Sequence, residues 1–209
     1  CLNSICSIQN WTQKAIFAYG QNSGGSKVSM SNLVSNSGVV ATDTTGVGTA
    51  RGDLAATGYG STGQSIFGYG NTGSYVSMTN LVTNVGVIGT DVSGVGTARQ
   101  SLAACTFGGD KAIFGFGKDG SNETSITNLV SNVGVVAANT NGVGAAREKL
   151  GACSFGGDKG IFAFGVDNGG GGRVSTSNLV SNVGVVASNT TGVGSVTNRL
   201  GAAGYSLSA

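Results

Sequence analysis

Short apolar segments, separated by turn residues, follow one another along the whole chain. Between residues 101 and 140 they read SLAACTF, KAIFGFG, TSITNLVSN and GVVAANT, with Gly, Asn and Asp between them. Val, Ile, Phe and Thr are typical of strands, whereas a glycine every few residues disfavours helices. The pattern therefore predicts four short β-strands in this stretch, each followed by a turn.

The same group of segments occurs four times. One segment reads NLVSNSGVV, NLVTNVGVI, NLVSNVGVV and NLVSNVGVV. It begins at Asn32, Asn80, Asn128 and Asn178, at intervals of 48, 48 and 50 residues. A second segment, of the type KAIFGFG, carries Phe17, Phe67, Phe114 and Phe162, at intervals of 50, 47 and 48 residues. A fixed period of this length indicates a repeat protein, in which each copy buries its apolar face against its neighbours.

A four-strand repeat of this length has the size of a propeller blade, whereas a β-solenoid uses coils of about 20–30 residues. We therefore predict one all-β domain over residues 1–209, a β-propeller with four blades of four antiparallel strands. Repeats 1 to 4 cover residues 2–50, 51–98, 99–146 and 147–196, and residues 197–209 form a surplus terminal strand. Residues 2–13 also match the first strand of a repeat. Either the C-terminal strand closes the ring and displaces the N-terminal one, or the spare strand pairs with another molecule.

The repeated residues have structural interpretations. The first segment of each repeat is rich in small residues (LAATGYG, LAACTFG, LGACSFG), as expected for innermost strands that crowd at a propeller axis. The four repeated phenylalanines are predicted to be buried between blades. The four repeated asparagines each have a second asparagine four residues later, on the same face of a strand. We predict a hydrogen-bonded ladder between strands or blades, with sugar recognition by the amides as the alternative.

The order of these features resembles the kelch family of β-propellers. Arg51, Arg99 and Arg147 precede the first segment, and the second segment ends in GYG or GFG where that family has a pair of glycines. The outer-strand tryptophan of that family is absent. The copies are also similar in sequence to the IFGYG and NLVSN-GVV repeats of tail-fibre-like proteins from phages and environmental sequences. This second resemblance implies a virion or extracellular surface location.

Charge and composition narrow the classes of function. Charged residues make up 10% of the chain and the net charge is +2, so a nucleic-acid-binding surface is not expected. The chain has no histidine, and no triad or carboxylate pair stands at a catalytic spacing. The sequence therefore indicates no enzyme, no cofactor and no metal site. It contains no run of about 20 apolar residues that would span a membrane.

The turn that follows the fourth segment reads DTTGVG, DVSGVG, NTNGVG and NTTGVG, beginning at Asp43, Asp91, Asn139 and Asn189. We interpret it as a tight turn in which the first side chain bonds its own backbone. A calcium site is the alternative, but each turn offers at most one carboxylate. The arginines that follow are expected to form solvated or inter-blade ion pairs.

The cysteines add two open alternatives. Cys105 and Cys153 occupy the same position in neighbouring repeats, and we interpret them as small buried residues, with a disulfide between them as the alternative. Because the chain begins with Cys1 and not with Met, we expect a processed or partial chain, and a lipidated mature N-terminus is a further alternative.

The irregular parts of the chain are the candidates for partner contacts. They include Trp11, the only tryptophan, and Asp167, Asn168 and Arg173 in the longest loop. We predict a non-enzymatic structural or adhesive module of a virion fibre or extracellular surface assembly. Its partners would be other copies of itself, other virion or surface proteins, or glycans. One alternative is a secreted multivalent lectin with one sugar site per blade, and another is a self-assembling filament subunit joined by exchanged strands.

Overall fold

The computed structural model describes residues 14–167 and 172–205, and every regular element in these two ranges is a β-strand. Repeat 1 contains β1 (Ala15–Ala18) and β2 (Ser31–Val34). Repeat 2 contains β3 (Ala55–Tyr59), β4 (Gln64–Gly68) and β5 (Thr79–Val82). Repeat 3 contains β6 (Ala103–Phe107), β7 (Lys111–Gly115), β8 (Lys118–Asp119), β9 (Asn122–Glu123) and β10 (Thr127–Val130). Repeat 4 contains β11 (Gly151–Phe155), β12 (Lys159–Ala163), β13 (Val166–Asp167), β14 (Gly172–Arg173) and β15 (Ser177–Val180).

The longer strands of each repeat form one small antiparallel sheet. The three-stranded sheets have the orders β3-β4-β5, β6-β7-β10 and β11-β12-β15, while β1 pairs with β2, and β8–β9 and β13–β14 are short hairpins. The same register recurs. In repeat 3, Phe114 on the middle strand lies between Ala104 on the first strand and Asn128 on the third. The all-β class and the small antiparallel sheets agree with the sequence prediction.

The predicted fourth strand is an irregular edge segment. In repeat 2 it is held to β5 by two isolated bridges, Val82 with Ile88 and Thr79 with Val92, which differ in register by one residue. Repeats 1, 3 and 4 have the equivalent two bridges. One extra residue between two bridges is a β-bulge, which bends the segment away from regular pairing. Four regular strands per repeat is therefore wrong: the sheets have at most three, with the fourth segment along the edge.

Consecutive sheets pack face to face through aromatic rings. An edge-to-face pair links each repeat to the next, with ring centroids 5.4 Å apart for Tyr19–Phe67, 5.2 Å for Tyr69–Phe114 and 5.1 Å for Phe116–Phe162. Gly68 lies directly under Phe114, where an added Cβ would stand 2.7 Å from the ring. The glycine therefore permits the close approach of repeat 3. We call each of these repeat-to-repeat contacts a junction.

The four sheets form an open array, and no closed propeller is present among residues 14–167 and 172–205. In a ring of four sheets, Phe17 would pack against repeat 4, as its equivalents pack against the preceding repeat. Its exposed fraction is 63%, against 5% for Phe67 and 0% for Phe114 and Phe162. The predicted burial is thus correct for three phenylalanines and wrong for Phe17, because no sheet formed by the described residues covers its side of repeat 1.

The C-terminal segment continues the array. A backbone ladder connects equivalent residues of successive repeats: Ser101 N donates to Asp53 O at 2.9 Å, Lys149 N to Ser101 O at 2.8 Å and Arg199 N to Lys149 O at 2.8 Å. Gly204 then lies beside Ser154, its equivalent in repeat 4. Residues 200–205 thus lie on β11 where the first strand of a further repeat would lie, although they are not hydrogen-bonded as a regular strand.

Candidate functional site

Each junction is built around one buried arginine. Arg51, Arg99 and Arg147 are each 0% exposed. Their guanidinium carbons lie over the rings of Tyr19, Tyr69 and Phe116 at 4.2, 4.1 and 4.2 Å from the centroid. Such a cation–π contact contributes about 2 kcal/mol when desolvated. The expected solvated or inter-blade ion pair is therefore largely replaced by a cation stacked on the aromatic ring of the preceding repeat.

Hydrogen bonds tie the same guanidinium to its own repeat and to the last residues of the preceding one. Arg99 Nε donates to Phe116 O at 2.9 Å and its Nη1 donates to Thr97 O at 3.1 Å. Arg51 makes the equivalent bonds and also donates from Nη2 to Asn80 Oδ1 at 2.6 Å. Burial lowers the pKa of Arg147 to about 10, so the group remains a cation at neutral pH. One side chain thus fixes the spacing and orientation of two repeats.

The three residues that supply these rings, and the equivalent Phe164 of repeat 4, have an unusual backbone conformation. Tyr19, Tyr69, Phe116 and Phe164 have φ between 63° and 66°, in the left-handed region. A bulky residue there is strained and persists only where its surroundings hold it. These are the aromatic residues of the AYG, GYG, GFG and AFG sequences. Their role was not predicted from the sequence, although every copy has an aromatic residue between a small residue and a glycine.

The repeated asparagines hold the fourth segment to the sheet. Asn80 Nδ2 donates to Gly89 O at 3.0 Å and to Asp91 Oδ1 at 2.9 Å. Asn32, Asn128 and Asn178 make the same pair of bonds in their own repeats. Asn80, Asn128 and Asn178 are 0% exposed, so their amides are not presented to a sugar. The second asparagine of each pair lies beyond the strand end in an exposed turn, so the expected shared face is wrong.

The turn residues Asp91, Asn139 and Asn189 bond across the junction instead of within their own turn. Asp91 accepts from Thr49 N at 3.0 Å and from Thr49 Oγ1 at 2.6 Å. Asn139 accepts from Thr97 N at 3.1 Å and donates to Thr97 Oγ1 at 2.7 Å. Among the residues described, no group of three or more His, Cys, Asp or Glu could hold a metal ion. The turn therefore closes the outer side of each junction.

Replacing Asp91 by Asn should preserve the fold at neutral pH, because Asn139 and Asn189 already perform this role. We expect a change in unfolding free energy within about 1 kcal/mol. Burial raises the pKa of Asp91, but hydrogen bonds from Thr49 and Asn80 outweigh it and hold the pKa below its ordinary value. The bonds to the ionised form thus stabilise the fold above the ordinary pKa, and this contribution is lost as the pH falls through the lowered value.

Urea unfolding at pH 7 and pH 3 checks this prediction. The stability of Asp91→Asn relative to the native chain should rise towards the acidic condition, since the variant has no proton to take up. Asp53→Asn, which makes the same change at an exposed carboxylate outside this turn, is the matched control. A variant that is much less stable at pH 7 would contradict the assigned role.

The two cysteines of neighbouring repeats are free thiols. Cys105 is buried, with 3% of its surface exposed, and burial raises its thiol pKa to about 12. Cys153 is half-buried on β11. Burial of Cys105 agrees with its interpretation as a small core residue.

Cys105 should not react with iodoacetamide at pH 8 in the folded protein, because the thiolate is the nucleophile and burial suppresses it. Mass-spectrometric peptide mapping should show alkylation of Cys105 only after urea is added. Because the folded thiol keeps its proton while the unfolded one loses it near pH 9, stability should also fall as the pH rises from about 9 towards 12. Rapid alkylation of the folded protein at pH 8 would be the opposite result.

One edge of the array exposes a row of valines. The tight turn between the third strand and the fourth segment carries Val39, Val85, Val87, Val133, Val135, Val183 and Val185, which are 60–71% exposed. The glycine of each turn lies against a leucine of the preceding repeat: Gly86 on Leu33, Gly134 on Leu81 and Gly184 on Leu129. Successive turns therefore lie side by side, and we call these seven residues the valine ridge. The ridge was not predicted from the sequence, because the apolar run GVV is typical of a buried strand.

The four residues proposed for partner contacts are not brought together by the parts of the chain that are described. Trp11 and Asn168 lie outside the described residues. Asp167 is half-buried in β13, paired with Gly172, and Arg173 is exposed in β14 and donates from Nε to Asn198 Oδ1 at 3.1 Å. Asp167 and Arg173 thus share one short hairpin on repeat 4.

Comparison with known proteins adds no family. No protein-family model matches the chain, and the search of curated proteins finds no match. No helix that could cross a membrane occurs in residues 14–167 and 172–205.

Proposed function

We propose that this protein is a non-enzymatic structural or adhesive module of a virion fibre or extracellular surface assembly, and that it acts through protein contacts along the valine ridge. The observation that supports this proposal is the valine ridge. Seven exposed valines at equivalent positions form a row of apolar surface, and apolar patches of this kind mark interaction sites. A partner with its own repeated apolar positions would match this spacing.

The use of the polar residues supports the same proposal. The repeated Arg, Asn and Asp side chains are engaged with neighbouring backbone and rings, as the hydrogen bonds of Arg99, Asn128 and Asp91 show. Few of the repeated polar side chains are therefore available to contact a substrate together. The lectin alternative loses its best candidates for the same reason, since three of the four amides are fully buried.

A kelch-like propeller is part of the proposal as its architecture. Arginine before the first strand, and small residues on that strand where repeats approach most closely, support the resemblance. The exposed Phe17 favours an arc of a larger ring over closure by four blades. Closure would then need further sheets, from additional repeats or from a second molecule.

Immunogold electron microscopy on the source material tests the location. We expect label on virion fibres or on the outer cell surface, at regular intervals. Label confined to the cell interior would overturn the proposal.

Binding of the purified protein to those particles tests the ridge. Replacing Val133, Val135, Val183 and Val185 by threonine keeps side-chain volume and removes apolar surface, and should reduce binding at least about tenfold. Val193→Thr with Val196→Thr is the matched control, since both valines are exposed but lie outside the ridge. Unchanged binding by the ridge variant, or glycan-array binding that it retains, would favour the lectin alternative instead.

A further inference from the structure

The two ends of the array expose opposite halves of the same junction. In each internal junction a phenylalanine of the later repeat packs on an aromatic ring of the earlier one. At the first end Phe17 is the phenylalanine half, and it is 63% exposed. At the other end Phe164 is the ring half, equivalent to Tyr69 and Phe116, and it is only half-buried although both equivalents are 0% exposed.

A second contact of the internal junctions, between a ring and a turn, also has its two halves exposed at opposite ends. Phe107 at the end of β6 is 2% exposed because the Gly184 turn of repeat 4 covers it. Its equivalent Phe155 at the end of β11 is 41% exposed. At the matching turn of repeat 1, no atom of the described residues lies within 4 Å of the Gly38 Cβ position. The Phe155 ring and the Gly38 turn, the two halves of this contact, thus lie at opposite ends of the array.

We propose that the first end of one molecule packs on the last end of a second copy of this chain, with Phe17 on Phe164 and the Gly38 turn on Phe155. Phe17 would pack on Ala163, which stands where Gly68 stands under Phe114. The first internal junction already has an alanine at this position, because Ala18 packs in the core beside Phe67. This inference deepens the proposed assembly function by naming a second copy as partner. It depends on the ends of the array and not on the ridge valines of repeats 2 to 4.

The segment that follows repeat 4 fits this arrangement. In the other repeats the first strand pairs with the middle strand so that Gly115 lies opposite Ala103 and Ala163 opposite Gly151. Residues 200–205 lie where a first strand would lie, and β1 pairs only with β2 among the residues described. The same register would place Ala18 of the second copy opposite Gly201, completing a sheet with strands from both molecules.

The proposed junction between copies lacks the arginine of the internal ones. Gly165 N donates to Thr197 O at 3.0 Å, as Gly70 N donates to Arg99 O at 2.9 Å, so Thr197 occupies the arginine position. Without the arginine, Phe164 has no cation over its ring. The junction between copies is therefore weaker than the internal ones, and head-to-tail contacts of this kind form rings or filaments depending on the angle between copies.

Sedimentation velocity over a concentration series tests this proposal with the full 209-residue chain. The native chain should associate reversibly. Phe17→Ser, at an exposed side chain that leaves the internal junctions intact, should weaken association at least about tenfold. Thr197→Arg restores the missing cation and should tighten association about tenfold, whereas Val196→Arg adds the same charge at the neighbouring exposed position and should not.

The possible results separate this inference from the proposed function. A chain that stays monomeric at every concentration, in its native form and as Thr197→Arg, would overturn the inference and leave the ridge proposal standing. Association that the four-valine ridge variant abolishes and Phe17→Ser does not would also overturn it, since copies would then meet through the ridge. Circular dichroism of each variant confirms that the β-structure is retained.

Discussion

Replacing Phe114 by alanine should lower the free energy of unfolding by about 3–5 kcal/mol. The side chain is 0% exposed, lies 5.2 Å from Tyr69 between ring centroids, and fills the space above Gly68. Its removal leaves a cavity at the middle junction. The hydrogen-bonded strands of the two sheets are not expected to move together and fill it. Urea unfolding followed by circular dichroism measures the loss.

Phe17→Ala is the matched control, because it makes the same change at the equivalent position of repeat 1. Phe17 is 63% exposed in a single copy, so at a concentration where the chain is monomeric we expect a loss of about 0.5 kcal/mol or less. The comparison measures the contribution of the neighbouring repeat and not that of the residue type. Equal losses at the two positions would mean that a sheet covers Phe17, and the open array would then be wrong.

This contrast shows what a repeat sequence predicts and what it does not. The period follows from comparing the four copies. The strand residues and the three buried phenylalanines follow from the apolar pattern within each copy. The exposure of Phe17 does not, because its burial depends on whether another sheet lies beside repeat 1. All four phenylalanines have similar sequence surroundings, so the pattern alone predicts the same burial for each. Ring closure is a property of the angle between sheets, which the apolar pattern does not record.

The junction chemistry was harder to predict than the strands. A charged residue before a strand suggests solvent, yet Arg99 is fully buried because its partners come from three places in the chain: Tyr69, Thr97 and Phe116. The asparagines were easier, since a repeated amide beside a turn has a local partner, such as Gly89 O for Asn80. The apolar contacts of the phenylalanines between repeats were therefore predictable from the sequence, whereas the polar contacts between repeats need the structure.

Replacing Arg99 by alanine should lower the free energy of unfolding by about 3–5 kcal/mol. The change removes the cation from the Tyr69 ring and leaves the carbonyl oxygens of Phe116 and Thr97 without their donors. Both effects fall on the central junction, so the loss should make repeats 1–2 and 3–4 unfold more independently. Urea unfolding should show a lower midpoint and a broader transition than that of the native chain.

Two further variants separate the causes. Arg99→Lys keeps the charge, but an ammonium group cannot donate to both carbonyls while lying flat on the ring, so it should recover less than half of the loss. Arg173→Ala removes an exposed arginine that donates one hydrogen bond to Asn198, and should cost less than about 1 kcal/mol. Full recovery by lysine would show that charge alone holds the junction. A loss for Arg99→Ala no larger than that for Arg173→Ala would show that the sheets hold together without the arginine.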